Sequence, residues 1–316
     1  MTHRLNLFLL FLAAVIGLPF YWLMLANPTR DIAPRPISMA QLRSLAAQIP
    51  GQRPTGAEML HVGWKLVPGN LYAAGSGMKR RLLGVLVFRL TVPGGGGIVI
   101  DSGVSGQLGT AMGLDGVLDM RQREAERWME GAGLILATSE RPFHLGGLAA
   151  YAGQREAAVA LAHARLNRWQ VPGQTDDDYT TWPSTLVLRP AITAAAPVAV
   201  APGVVVIPTG NPTPGSQMIY ARLADNREML FAGDVAPFEV NVTELRVRSN
   251  LLDRGAQGEA RRDAMRWLVT LRRLKREAPR MVIVPAHDFE WLNDPMQHSG
   301  VEMRRSPEEM QKPAGT

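Results

Sequence analysis

The chain has 316 residues, of which 46% are hydrophobic and 20% charged, enough apolar material for a sizeable buried core. It contains no cysteine, so disulfides and thiolate metal sites are excluded and any metal must be held by His, Asp, Glu or water. Lys plus Arg exceed Asp plus Glu by 34 to 28, a formal charge of +6; the excess is scattered Arg with no nucleic-acid motif, so no nucleic-acid partner is expected and weak attraction to an anionic membrane surface fits the balance.

The first element is "NLFLLFLAAVIGLPFYWLMLAN", Asn6 to Asn27, which carries no charged side chain. At about 1.5 Å per residue it spans the hydrocarbon core of a bilayer, and Tyr21 and Trp22 stand where amphipathic rings favour the interface. Residues 1–28 are therefore expected to be a membrane anchor through this N-terminal helix; the alternative is a signal peptide cut after Ala26, for which Met24 is a poor fit. The globular part is expected in the periplasm or otherwise outside the cytoplasm. Residues 29–56, rich in Pro and polar side chains, read as a linker with one short helix in "SMAQLRSLAAQI".

Apolar β-type runs follow in series: "LLGVLVFRLTV", "GIVI", "LILAT", "TLVLR", "GVVVIP", "QMIYARL", "EMLFAG" and "MVIVP", with "PGGGG" as a hairpin turn between the first two. Helical patterns interrupt them in "MRQREAERWMEGA", "REAAVALAHARLNRW" and "ARRDAMRWLVTLRRLKREA", the last stopping at Pro279. Strands mixed with helices argue for an α+β or layered α/β domain over 57–303, with a polar tail at 304–316.

Five of the β-type runs end in polar residues suited to chemistry. "IVI" runs into Asp101; "LILAT" into Ser139, Glu140, Arg141, Pro142, Phe143 and His144, followed by Leu-Gly-Gly; "VVVIPTG" into Asn211 and a Thr-Pro-Gly-Ser turn; "MLFAG" into Asp234; and "MVIVPA" into His287 and Asp288. A sheet whose strand ends meet at one rim would gather these groups in one cleft.

In this order the motifs resemble the metallo-β-lactamase superfamily of metal-dependent hydrolases, from about Trp64, where "WKLVPGNLYAAG" looks like the family's opening strand, to Leu292. The resemblance implies an αββα sandwich with a metal cleft along one edge. The family's loop reads Thr-His-x-His-x-Asp-His; here Ser139, Arg141 and Phe143 stand for the two His and the Asp, and only His144 is kept. The His expected before Thr-Pro-Gly-Ser is replaced by Pro212, or by Asn211 if one residue is inserted, while Asp234 and His287 match the bridging Asp and last His.

A guanidinium has no lone pair to give and stays charged, so Arg141 repels a dication where the first metal would sit. We expect it to pair with Asp101 instead. His144, Asp234 and His287 would hold one zinc ion, with Glu140 as a further carboxylate in the same loop and Asp101, Ser139, Glu140, Arg141, Phe143, Asn211 and Asp288 lining the site. Two functions follow from the resemblance: a single-metal hydrolase of an ester, lactone or thioester-type bond, acting on an unidentified small molecule, or a catalytically silent protein that binds or scaffolds and carries no metal.

Overall fold

Alternation along the central strands sends successive side chains to opposite faces, and both faces are covered. In the computed structural model, which describes residues 2–174, 179–253 and 258–305, this gives two sheets face to face with helices outside each. The first sheet contains β1 (Gly56–Pro68), β2 (Arg80–Thr91), β3 (Ile98–Ile100), β4 (Gly116–Val117) and β5 (Leu134–Leu136). The second runs through β6 (Val198–Ala201), β7 (Val204–Pro208), β8 (Gln217–Arg222), β9 (Glu228–Phe231) and β10 (Val282–Val284). A last strand, β11 (Val301–Met303), returns to the first sheet parallel to β1.

Leu86, Phe88, Ile100 and Leu136 of the first sheet pack on Val204, Val206, Ile219 and Phe231 of the second, forming the layer between the sheets. The intervening residues face outward: Val87, Val99 and Ile135 meet the helices Asp119–Glu130 and Pro142–Tyr151, while Val205, Ile207 and Tyr220 meet the helix Gly258–Glu277. The result is the expected αββα layering.

Four local features depart from the sequence reading. Residues 185–189, "TLVLR", form no strand; they pair with no neighbour and leave Val187 exposed. The pattern "REAAVALAHARLNRW" yields only the short helix Ala157–His163. The stretch read as a linker contributes Ile37, Met39, Leu42 and Ala46 to the core through the helix Met39–Ala46, capped by Ser38. The loop after "LILAT" is short: a helix starts at Pro142, so His144 stands in its first turn. Proline is suited to that start because its missing N–H has no helical partner there in any case. Of the polar tail, residues 306–316 lie outside the described residues; Arg304 continues β11, with its N–H donating to the Met59 carbonyl at 2.8 Å.

Parallel pairing of β3 with β5 and of β9 with β10 brings the C-terminal ends of strands from both sheets to one edge of the sandwich. Asp101, Thr138, Asp234 and His287 lie within three residues of those ends.

Candidate metal centre

Asp101 sits one residue past β3 with φ +64°, a left-handed conformation that a non-glycine residue adopts only when its surroundings hold it there. The holding groups are explicit. The Thr138 N–H and hydroxyl donate to Asp101 Oδ1 at 2.6 and 2.9 Å, and His144 Nδ1 lies 2.9 Å from Oδ2. The carboxylate is thereby fully engaged, and the expected Arg141–Asp101 ion pair does not form. Arg141 points instead to Asp234, with Nη1 3.4 Å from Oδ2.

The helix carrying His144 is pressed against the segment after β3. Ser102 donates both its N–H and its hydroxyl to the His144 carbonyl, at 2.8 and 3.0 Å. The Gly-Gly of the motif makes this contact fit: a Cβ on Gly147 would lie 1.9 Å from the Ser102 carbonyl oxygen. Gly233, at φ +53°, likewise lets the Asp234 turn close on Thr138.

The three sequence-predicted ligands converge. One ligand atom from each of His144, Asp234 and His287 lies within 4.8 Å of the others, and all three residues are buried. Nε2 of each imidazole is 3.4 Å from Asp234 Oδ1. Their outer nitrogens are fixed: Nδ1 of His287 is 2.8 Å from the Gly84 carbonyl, which can only accept, so Nδ1 carries a proton and Nε2 is the nitrogen turned to Asp234. The Asp101 carboxylate orients His144 in the same way. A carbonyl or carboxylate behind each imidazole is the usual support of a ligating histidine. In the cleft itself, His144 Nε2 and Asp234 Oδ2 are buried without a hydrogen bond; each has only an ion-pair neighbour at 3.4 Å, Asp234 Oδ1 for the imidazole and Arg141 Nη1 for the carboxylate. The donor set therefore fits one divalent ion of the kind bound by imidazole and carboxylate, with an open coordination position.

Charge in the cleft is strongly coupled. Burial disfavours the His144 imidazolium, but the carboxylates of Asp101 and Asp234 overcome this and raise the imidazole to about 10. Burial also opposes ionisation of Asp234, yet His144 and Arg141 hold its carboxyl well below the usual range. A metal must therefore displace a proton from His144 at neutral pH.

The remaining predicted residues take other places. Glu140 accepts from the Thr213 hydroxyl at 2.8 Å and from the Gly215 N–H at 3.1 Å, so its carboxylate ties the Thr-Pro-Gly-Ser turn to the metal loop and does not join the triad. Ser139 is fully buried and accepts the Arg141 N–H at 3.2 Å. Phe143 presents an edge to the His287 ring, with centroids 5.8 Å apart. Asn211 lines the cleft beside Asp234, its amide donating to the Ala260 carbonyl at 2.9 Å. Asp288 caps the helix Phe289–Asn293 and accepts the Glu239 N–H at 3.0 Å.

Two further residues bear on the charge at Asp234. Tyr72 feels Asp234, Arg248 and Arg141, and burial, aided by Asp234, pushes its hydroxyl up to about 12. Arg248 is buried against Asp234 in the irregular stretch 245–253. Tyr72 stands in the "WKLVPGNLYAAG" segment without being singled out there, and the only hint of Arg248 is an arginine inside the apolar-polar run "ELRVRSN".

No family model matches the chain, and no curated protein does. Solved structures do. A quorum-quenching N-acyl homoserine lactone lactonase superposes with TM-score 0.58 at 14% identity, covering 77% of this chain and 95% of its own. A probable metal-dependent hydrolase from Staphylococcus aureus gives 0.55 at 13% identity, with 75% and 91% covered. An N-acyl homoserine lactone hydrolase with N-hexanoyl-L-homoserine at its catalytic metal centre gives 0.53 at 15%, with 76% and 95% covered. The chain has the metallo-β-lactamase fold, as its motif order implies.

Proposed function

We propose that the chain is a membrane-anchored hydrolase that holds a single zinc ion on His144, Asp234 and His287 and opens an ester, lactone or thioester-type bond of a small molecule outside the cytoplasm. The observation that carries this reading is the pair of imidazoles whose outer nitrogens are fixed by Asp101 and the Gly84 carbonyl while their inner nitrogens face one carboxylate. The lactone-opening and metal-dependent proteins of the same fold are consistent with it.

When bound, the ion supplies Lewis acidity, activating water and polarising the scissile carbonyl. The chain does the rest. Thr138 holds Asp101, Asp101 holds His144, and Phe143 and the buried walls exclude bulk water from the imidazoles. Arg141, more than a third of its side chain exposed at the mouth of the cleft, puts a positive charge where an oxyanion would develop. Anchoring rests on the segment His3–Leu25, which is long and apolar enough to cross a bilayer.

One observation favours a second reading, a catalytically silent binding protein. Asp234 already has both His144 and Arg141 beside it, so the cleft balances its own charge without a cation. Metal analysis separates the two. The full chain purified in detergent should carry one zinc per chain, and a His144→Ala/Asp234→Ala/His287→Ala variant none. Absence of metal from the wild-type chain after zinc loading would favour the silent reading.

A further inference from the structure

We propose that the cleft contains an oxyanion site centred on Arg248, which receives a carboxylate or phosphate group of the molecule presented to the triad. Arg248 is 5% exposed. Its Nε reaches Asp253 Oδ1 at 3.3 Å, but Nη1 and Nη2 are both buried with no hydrogen-bond partner. The residue lines a cavity of about 30 Å³ together with Asn211, Asp234 and Asp253.

An unsatisfied donor on a buried cation is among the most costly groups a protein can keep, and native structures rarely leave one without a use. Here it is held deliberately. The Arg248 carbonyl accepts from Arg261 Nη1 at 2.7 Å, the neighbouring Val247 N–H donates to Asn27 Oδ1 at 3.1 Å, and the Ser249 N–H donates to the Leu71 carbonyl at 2.8 Å. The backbone is thus pinned on both sides of the guanidinium.

The free edge of a guanidinium is a planar fork that matches two oxygens of one carboxylate or phosphate. Asp253 sits at the Nε edge, and Asp234, which also attracts Arg248, has His144 and Arg141 beside it; no hydrogen bond from either carboxylate occupies the Nη fork, which is left for an incoming anion. Size limits what enters. A water needs roughly 10–15 Å³ of such space, so the cavity takes an anionic head group and not a whole molecule. The rest of the ligand must extend towards the triad, past Arg141, whose charge also acts on Arg248 and Tyr72. Identifying that ligand as a substrate rests on the hydrolase reading; the anion site itself does not.

The test titrates inorganic phosphate and acetate separately into the full chain in detergent, by calorimetry and thermal shift, and measures zinc content in parallel. At least one anion should bind saturably, the stronger of the two showing whether the site prefers phosphate or carboxylate. Arg248→Met should weaken that binding by about tenfold to a hundredfold, and Arg248→Lys, which keeps the charge but not the fork, by about tenfold. Zinc content should not change in either variant. Arg248→Lys covers the case in which the Met variant fails to fold. The proposal is overturned if neither anion binds the wild-type chain, or if a folded Arg248→Lys or Arg248→Met chain binds as tightly as wild type. Arg248-dependent binding in a chain that takes up no zinc would keep the anion site and remove the hydrolase reading; zinc without anion binding would do the reverse.

Discussion

His144 and His61 show how the same side chain takes opposite charge states in one fold. His144 lies between two carboxylates and is raised, whereas His61 is buried against aromatic rings with Nε2 unpartnered, its ring stacked on Phe289 at 4.0 Å. Burial, reinforced by Arg121, lowers His61 to about 4. In the unfolded chain the imidazole titrates near 6.5, so between pH 6.5 and 4 the unfolded state binds more protons than the folded one. The stabilisation is complete above pH 6.5 and is lost as pH falls through that window, by up to about 3 kcal/mol from this residue. His61→Phe keeps the stacking and removes the titration. Urea midpoints measured from pH 7 to 4 should fall less steeply in the variant than in wild type; parallel curves would refute the assignment. Much of the site is legible at this scale. Asp234 and His287 stand out because each ends an apolar run, and the structure places them beside His144. Arg141's partner was not legible, because Asp101 is saturated by Thr138 through contacts between strands that no local pattern encodes. Arg248 was invisible for the same reason: its meaning comes from what surrounds it, not from its neighbours in sequence.

Among the elements, the helix Pro142–Tyr151 links motif to geometry. Its sequence, "PFHLGGLAAY", looks like a loop because two glycines weaken helix propensity, by roughly 1 kcal/mol each relative to alanine. Packing overrides that cost. Gly147 N–H donates to the Gly103 carbonyl at 2.8 Å, a contact that only a residue without a side chain allows so close to Ser102. Gly147→Ala should therefore push the helix off the β3 end, destabilise the fold by about 2–3 kcal/mol and reduce zinc retention together, since the His144 carbonyl is held by the same Ser102. Gly153→Ala is the control: its Cβ would meet only ordinary contacts at 3.8 and 4.0 Å, and stability should change little. Chemical denaturation with zinc analysis of both variants decides; a Gly147→Ala chain as stable as Gly153→Ala would mean that the close approach is not needed. The strands themselves were readable from alternation, but "TLVLR" shows where that signal stops. It has the composition of a strand and no neighbour to pair with; Leu186 and Leu188 are partly buried, Leu188 against the outer layer, and Val187 is exposed.

Taken as a whole, the molecule ties its apolar N-terminal segment to the cleft. That segment is long and apolar enough to cross a membrane, but its composition says nothing of how its end meets the domain. In the structure the end is gripped. Asn250 Nδ2 donates to the Trp22 carbonyl at 2.6 Å, the Leu251 N–H to Leu23 at 3.1 Å, the Gly75 N–H to Met24 at 3.1 Å, and Arg261 Nη2 to Ala26 at 2.7 Å. Met24 is buried beneath them. Three of these four donors, Asn250, Leu251 and Arg261, lie on the same stretch and helix that fix Arg248, so the segment's end and the cleft share one scaffold. A cut after Ala26 would remove the acceptors at 22 to 24 and at 26 and free all four donors. At about 1 kcal/mol for each hydrogen bond, together with Met24's burial, a chain lacking residues 2–26 should lose about 3–5 kcal/mol of stability. It should also bind the Arg248-dependent anion more weakly, because the 245–253 stretch loses its support. Two measurements bear on this. Intact mass of the chain recovered from membranes should include the N-terminal segment, and denaturation of the truncated chain should show the loss. A mature chain beginning at Asn27, with a truncated form as stable as the full one, would mean that the segment serves export only and that the cleft stands without it.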